Sequence, residues 1–195
     1  EDAAQALESL FGDNCSEVAV QLAHHFTQAE QSDRAIEYLY QAGCEAHRGL
    51  ANTEARSHYQ AALDTMDKPG AELDFADQHF RQIRLDIRIA LADILVLEGE
   101  FSEARTLYEV ALETVAAGER LQAVRLHSRI ATTHERDHQH ELALLSLQQA
   151  AERLEDGFDD SNAEELHEWI TIRASRLWLY YWQADLEGMA QVIEE

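Results

Sequence analysis

Ile89-Ala-Leu-Ala-Asp-Ile-Leu-Val-Leu-Glu-Gly-Glu-Phe-Ser-Glu-Ala-Arg-Thr-Leu-Tyr-Glu-Val-Ala-Leu112 is the stretch that decides the fold of this chain. It reads as two helices joined by a tight turn. The first helix carries Ala92 and Leu95, the turn is Glu98-Gly99-Glu100, and the second helix carries Ala104, Tyr108 and Ala111. Small side chains at Ala92, Ala104 and Ala111 let two helix axes approach closely, while Leu95 and Tyr108 fill the space between neighbours. Gly99 takes the turn at low steric cost.

The small-large-small pattern of the second helix recurs along the chain. It reads Ala35, Leu39, Ala42; then Ala55, Tyr59, Ala62; then Ala104, Tyr108, Ala111; then Ala143, Leu147, Ala150. Steps of four and three residues put each set on one helical stripe. First helices match as well: Ala23 and Phe26 precede Ala35 as Ala92 and Leu95 precede Ala104, and as Ala131 and His134 precede Ala143. A weaker fifth unit has Leu177 and Tyr180 before Met189. Ala35 and Ala55 lie too close for a full pair between them, so the segment from Ala42 to Gly49 must both end one helix and partner the next. A repeat of this kind is similar to the tetratricopeptide repeat.

These anchors predict helices at about 16–29, 32–48, 52–66, 72–98, 101–116, 120–136, 140–154, 162–183 and 186–195, within about 2 to 4 residues. The fold expected is all-α, a right-handed superhelix of antiparallel helix pairs, with residues 1–195 forming a single tetratricopeptide-like domain. Glu1-Asp2-Ala3 lacks an initiator Met and Gln191–Glu195 stops inside a helical pattern, so the domain reads as a fragment of a larger protein. Weak points are expected at Met66–Ala71, with the chain's one proline followed by glycine, and at Leu154–Ser161, where Asp160 and Ser161 offer an N-cap to the helix beyond.

Composition sets limits on function. Acidic residues number 38 against 15 basic ones, a formal charge of −23, and Lys68 is the sole lysine. Such a balance repels nucleic acid phosphates and anionic membranes and permits a basic partner. It also suits a surface kept soluble in a salty medium. Two cysteines, Cys15 and Cys44, make no disulfide framework and fit reduced thiols in a cytoplasmic protein.

Val18–His47, with Ala51–Leu63, carries a more specific signal. Leu22, Ala23, His24, His25 and Phe26, followed by Ala35, Ile36, Tyr38, Leu39, Ala42 and Gly43, resemble the start of the tetratricopeptide section that follows the ATPase module of bacterial STAND-type signalling proteins. That resemblance implies a regulatory arm that binds a protein, peptide or small inducer and controls an attached ATPase or output domain. None of that family's catalytic residues carries over, because the chain has no G-x-x-x-x-G-K-[ST] loop; no cofactor is expected.

The expected function is that of a non-catalytic protein- or peptide-binding regulatory module of a multidomain signalling protein; the alternative is a freestanding adaptor or peptide-sensor repeat protein. Counting from the anchors, groove-facing positions include Glu17, Val20, His24 and Thr27; Asp86, Ile89, Asp93 and Val96; and Arg125, Ser128, Thr132 and Glu135. Mixed acidic and apolar groups favour a basic, partly apolar segment. Trp178 and Tyr181 fall at groove positions too, within the cluster Trp169, Trp178, Tyr180, Tyr181 and Trp182. That cluster is either a set of binding anchors or an apolar end that pairs with another copy, left bare because the following helices that would cover it are cut away.

Two histidine groups invite a metal and do not support one. His24 and His25 are adjacent in one helix and diverge. His134-Glu-Arg-Asp-His138 spells H-E-x-x-H, but the repeat register puts His134 at the packing position of Leu95 and His138 in the turn, off the helical face that zinc chemistry needs. No carboxylate pair converges as hydrolysis requires, and no nucleophile-base motif is present, so the chain is not expected to be an enzyme.

Overall fold

The computed structural model describes residues 2–11, 18–68, 78–116, 118–155 and 157–194. These form ten α-helices: α1 (Asp2–Phe11), α2 (Ala19–Gln28), α3 (Ser32–Arg48), α4 (Asn52–Met66), α5 (Gln78–Glu98), α6 (Phe101–Thr114), α7 (Arg120–Arg136), α8 (His140–Glu155), α9 (Ala163–Gln183) and α10 (Leu186–Glu194). The fold is all-α, built of antiparallel helix pairs in the tetratricopeptide manner. Every second-helix anchor of the four strong units is buried, from Ala35, Leu39 and Ala42 through to Ala143, Leu147 and Ala150, while His134 of α7 is half-buried.

One turn geometry, repeated, makes the chain reverse. Among the described residues, Glu30, Leu50, Gly99, His138 and Ala184 all have positive φ, between 55° and 86°. The residue after each donates its N–H five residues back: Gln31 to Phe26, Ala51 to Ala46, Glu100 to Leu95, Gln139 to His134 and Asp185 to Tyr180. This is the Schellman closure, in which a left-handed residue lets a following N–H satisfy a carbonyl that the helix end leaves open. The anchor then comes four residues on, with Ala35, Ala55, Ala104, Ala143 and Met189 each donating to the first residue after the turn. The weaker fifth unit therefore keeps the register of the others.

The chain divides into two compact units, Glu1–Ile94 and Leu95–Glu195. In the first, α1 packs on α2, α2 on α3 and α3 on α4. α3 thus serves both neighbours, as the short step from Ala35 to Ala55 requires. A Cβ on Gly43 would lie 2.4 Å from a Tyr59 ring carbon, so only glycine admits that ring. α5 is tied in by Tyr40 to Asp86 at 3.2 Å and by the Arg84–Asp67 ion pair at 2.7 Å.

In the second unit, α6 packs on α7, α7 on α8, α8 on α9 and α9 on α10. Its core joins Val124 and Ala131 of α7, Ala143, Leu147, Ala150 and Leu154 of α8, and Ile172 and Leu179 of α9. Arg120 fastens the α8–α9 junction, donating to the carbonyls of Leu154 and Gly157 and to Glu165 at 2.6 Å. The Glu165 carboxyl is held below the usual range by the Asp159 N–H and then by Arg120.

The structure departs from expectation in places. α1 was not foreseen. The N-cap of α9 is Asn162, whose side chain accepts from the N–H groups of Glu164 and Glu165, rather than Asp160 or Ser161. Asp159 instead accepts from the Ser161 N–H and hydroxyl, forming the turn before the cap. Cys15, Glu17, the Pro69-Gly70 stop and residues 72–77 of the expected α5 lie outside the described residues.

Candidate functional site

The first helices of the second unit place two polar stripes side by side. Thr132 and Glu135 of α7 meet Thr171 and Ser175 of α9 around a cleft that also takes in Ser128, over a floor of Ala131, Leu147 and Leu179. Its volume is about 40 Å³, enough for a few waters or the tip of a side chain. The hydroxyls of Thr132 and Thr171 donate back to the carbonyls of Ser128 and His167, at 3.1 and 2.8 Å. Each oxygen keeps its acceptor capacity for a ligand. The Ser128 hydroxyl oxygen is buried without a partner, a group that a ligand donor would satisfy.

Beyond one end of the cleft, Arg125 bridges α7 to α9, with Nε 2.9 Å from Glu168 and Nη2 2.9 Å from Glu164. The Glu168 hydrogen bond raises the hold of the guanidinium on its proton, against the opposing effect of burial. Arg125 is therefore engaged by two carboxylates and positions the stripes. Glu135 supplies the carboxylate at the cleft itself. Hydroxyl acceptors, one carboxylate and an apolar floor suit a donor-bearing, partly apolar group such as a lysine or arginine side chain.

The first unit distributes its candidates differently. On α2, His24 and Thr27 are exposed, and Thr27 donates to Ala23 at 2.7 Å. The His24 and His25 rings lie 5.8 Å apart and tilted. On α5, Asp86 accepts from Tyr40 and, at 2.8 Å, from Gln82, while Asp93 is half-buried and Ile89 is buried. Burial leaves Ile89 little surface to offer a ligand.

Trp178, Tyr181 and Trp182 of α9 form one exposed cluster. Trp178 stacks near Tyr181 at 6.2 Å and meets Trp182 edge-on at 5.5 Å. The H-E-x-x-H letters dissolve as the register requires. α7 ends at Arg136, His138 is the left-handed turn residue, and His134 Nδ1 is engaged by Arg105 and by Gln139 at 2.7 Å. Arg105 also reaches Gln139 at 2.8 Å and Asp137 at 3.0 Å, so this group clips α6 to the α7–α8 turn. Among the described residues no three His, Cys, Asp or Glu side chains converge as a metal site would need, and no helix is long and apolar enough to cross a membrane.

Of the expected groove positions, Ser128, Thr132 and Glu135 lie on the α7 side of the cleft, and Thr171 and Ser175 on its α9 side were not among those expected. Thr171 and Ser175 are small hydroxyl residues with no chemical signature, and the one signal for them was their place on the stripe that also carries Trp178.

No protein-family model matches the chain, and no curated protein matches it. Solved structures do. BtubC (BKLC) from P. vanneervenii is 20% identical with a TM-score of 0.62, the match covering 97% of this chain and 71% of that one. A MamA RS-1 ArsTM double mutant is 16% identical with a TM-score of 0.63, covering 100% of this chain and 92% of that one. At such identities the likeness is one of fold.

Proposed function

We propose that the chain is a non-catalytic helical-repeat module that binds a protein or peptide segment on the faces of its first helices, with the α7–α9 cleft as the point of engagement. The observation that carries this reading is the cleft itself. Ser128, Thr132, Thr171 and Ser175 ring an apolar floor, beside Glu135 and in a chain of charge −23. A basic side chain with an apolar stem fits that chemistry. On the first unit, taken by itself, His24, Thr27, Asp86 and Asp93 are proposed as separate contact positions, and a cytoplasmic setting is part of the same reading.

Of the two contexts for such a module, a freestanding adaptor is the better supported. The fold likeness runs over all of this chain and 92% of a solved one, so an array of this size makes up most of a chain elsewhere. Attachment to a signalling ATPase rests on the resemblance of residues 18–63 alone, and an ATPase-coding segment in the same reading frame would reverse the preference.

The test is a random peptide display selection on the immobilised chain, followed by fluorescence titration of the selected peptides. Lys- or Arg-bearing peptides are expected, with Thr132→Arg abolishing binding and Glu135→Gln weakening it about tenfold, the equivalent of about 1.4 kcal/mol. Peptides that bind Thr132→Arg as well as they bind the parent chain would place the site elsewhere.

A further inference from the structure

The repeat allows one helix pair to be compared with the next, position by position. Matching turns relate α7–α8 to α9–α10: His134 corresponds to Tyr180, His138 to Ala184, Gln139 to Asp185 and Ala143 to Met189. By the same shift, Val124 corresponds to Ile170, Ala131 to Leu177, Thr132 to Trp178, Glu135 to Tyr181 and Leu147 to Ile193.

On α7–α8 the apolar part of this face is closed, while Thr132 stays exposed and Glu135 half-buried at the cleft. Val124, Ala131 and Leu147 are at most 3% exposed, in one cluster with Ile172 and Leu179 of the covering α9. On α9–α10 Leu177 is half-buried, but the counterparts of Val124 and Leu147 stand open. Ile170 is 52% exposed and Ile193 is 70% exposed, although Ile193 holds the large packing position that Leu39, Tyr59, Tyr108 and Leu147 fill in the other units. Trp178 and Tyr181 are also more than half exposed, at positions whose counterparts Thr132 and Glu135 stay open on α7, so they widen the apolar patch beside the stacking positions. The pair is thus shaped to be covered by helices and, among the described residues, is not.

We infer that this face is an interface between two copies of the chain, the α9–α10 pair of one meeting that of the other about a twofold axis. Area supports it: with the rings bringing about 150 to 250 Å² each, the exposed parts of Ile170, Trp178, Tyr181, Trp182 and Ile193 come to roughly 700 Å². A standard stable interface takes about 800 Å² from each partner, so these side chains bring most of one. The patch has the chemistry of an isologous contact, since uncharged aromatic and aliphatic groups complement themselves and no ion pair need be matched across the axis. Like charge opposes the pairing through the rim, where Glu187 and Glu194 of α10 are exposed, and through the net −23 of each copy. Salt therefore tightens this interface, the reverse of its effect on a basic ligand. The assignment gives Trp178 and Tyr181 to the dimer and is argued from exposure and area alone, so it does not rest on the peptide-binding reading.

The test is sedimentation equilibrium of the chain from about 1 to about 200 µM, at low and high NaCl. The mass is expected to move from 22.1 kDa toward twice that value, at lower concentration in high salt. Trp178→Glu and Ile193→Glu should each weaken association at least tenfold with helical content unchanged, while Glu135→Gln leaves it unaffected. As a second readout, acrylamide quenching of tryptophan emission should fall as concentration rises. A monomer throughout the range in both salts overturns the inference, as does a dimer that both glutamate variants retain. A monomer whose emission shifts with a cationic amphipathic peptide, and does so only with Ile193 intact, overturns it in favour of a foreign helix on this face.

Discussion

Left-handed backbone is where single residues of this chain bear the greatest local cost. Leu50 sits at φ 59° with its side chain 84% exposed, so it suffers the Cβ clash of the left-handed region and gains little packing in return. Leu50→Gly is expected to stabilise the protein by about 0.5 to 1 kcal/mol in denaturant melts, the relief of strain exceeding the added freedom of the unfolded chain. Gly99 already stands at the equivalent turn. His127 presents a different cost. Its ring is 6% exposed and Nε2 has no hydrogen-bond partner, and burial, then Arg153, lowers its pKa from 6.5. The neutral ring is the folded form, so above about pH 6.5 folding takes no proton from either state. As pH falls below about 6.5 the unfolded chain protonates first, and stability is lost until the lowered folded pKa is passed. His127→Leu should match or exceed the parent at pH 7, because no orphaned nitrogen remains. Its advantage should widen from pH 7 to pH 5, and parallel melts at the two pH values that show a constant difference would refute the buried neutral ring.

At the scale of helices, close approach is what the repeat encodes. Tyr59 lies against Gly43, and in α9–α10 the roles exchange, with Tyr180 against Gly188, where a Cβ would come within 2.5 Å of the ring. Gly43→Ala and Ala104→Leu should each cost about 1 to 3 kcal/mol by overpacking, read as lower denaturation midpoints. A midpoint unchanged in either would mean that the helices separate freely there. The same close approach leaves its mark in the sequence. Ala-x-x-x-(Leu/Tyr)-x-x-Ala stripes gave α3, α4, α6 and α8 nearly to the residue, because small-large-small packing leaves a period that composition cannot imitate. The sequence does not announce α1 because Asp2–Phe11 carries no such stripe; the helix packs on α2, and its Ala4 is buried. The cap of α9 was misplaced by a residue or two since Asp160, Ser161 and Asn162 all have capping side chains, and only the backbone decides which one meets the Glu164 N–H. For the cleft, the stripe on α7 was legible from register. Its junction with Thr171 and Ser175 was not, because stacking of α7 on α9 is a property of neighbouring repeats rather than of either helix.

For the molecule as a whole, charge is the property that no single helix reveals. Fifteen basic residues cannot offset 38 acidic ones, and the arginines best placed to do so are already committed: Arg105 to the α7–α8 turn, Arg120 to Glu165, Arg125 to Glu164 and Glu168. Folding brings the remaining carboxylates closer together than they are in the unfolded chain, so the compact state carries the larger self-repulsion. Added salt screens that repulsion over distances of about 8 to 10 Å, while the short, partly buried arginine pairs are screened much less. The melting temperature is therefore expected to rise with NaCl, by about 2 to 6 °C for a gain of about 1 to 1.5 kcal/mol in a chain of this length. Association would raise it as well, since dimerisation draws on the folded form. The measurement accordingly uses Ile193→Glu at two concentrations, so that a rise independent of concentration reports repulsion alone. A melting temperature that falls with salt in that variant would show the arginine clasps outweighing the carboxylate field, and would make them the main electrostatic contribution to the fold.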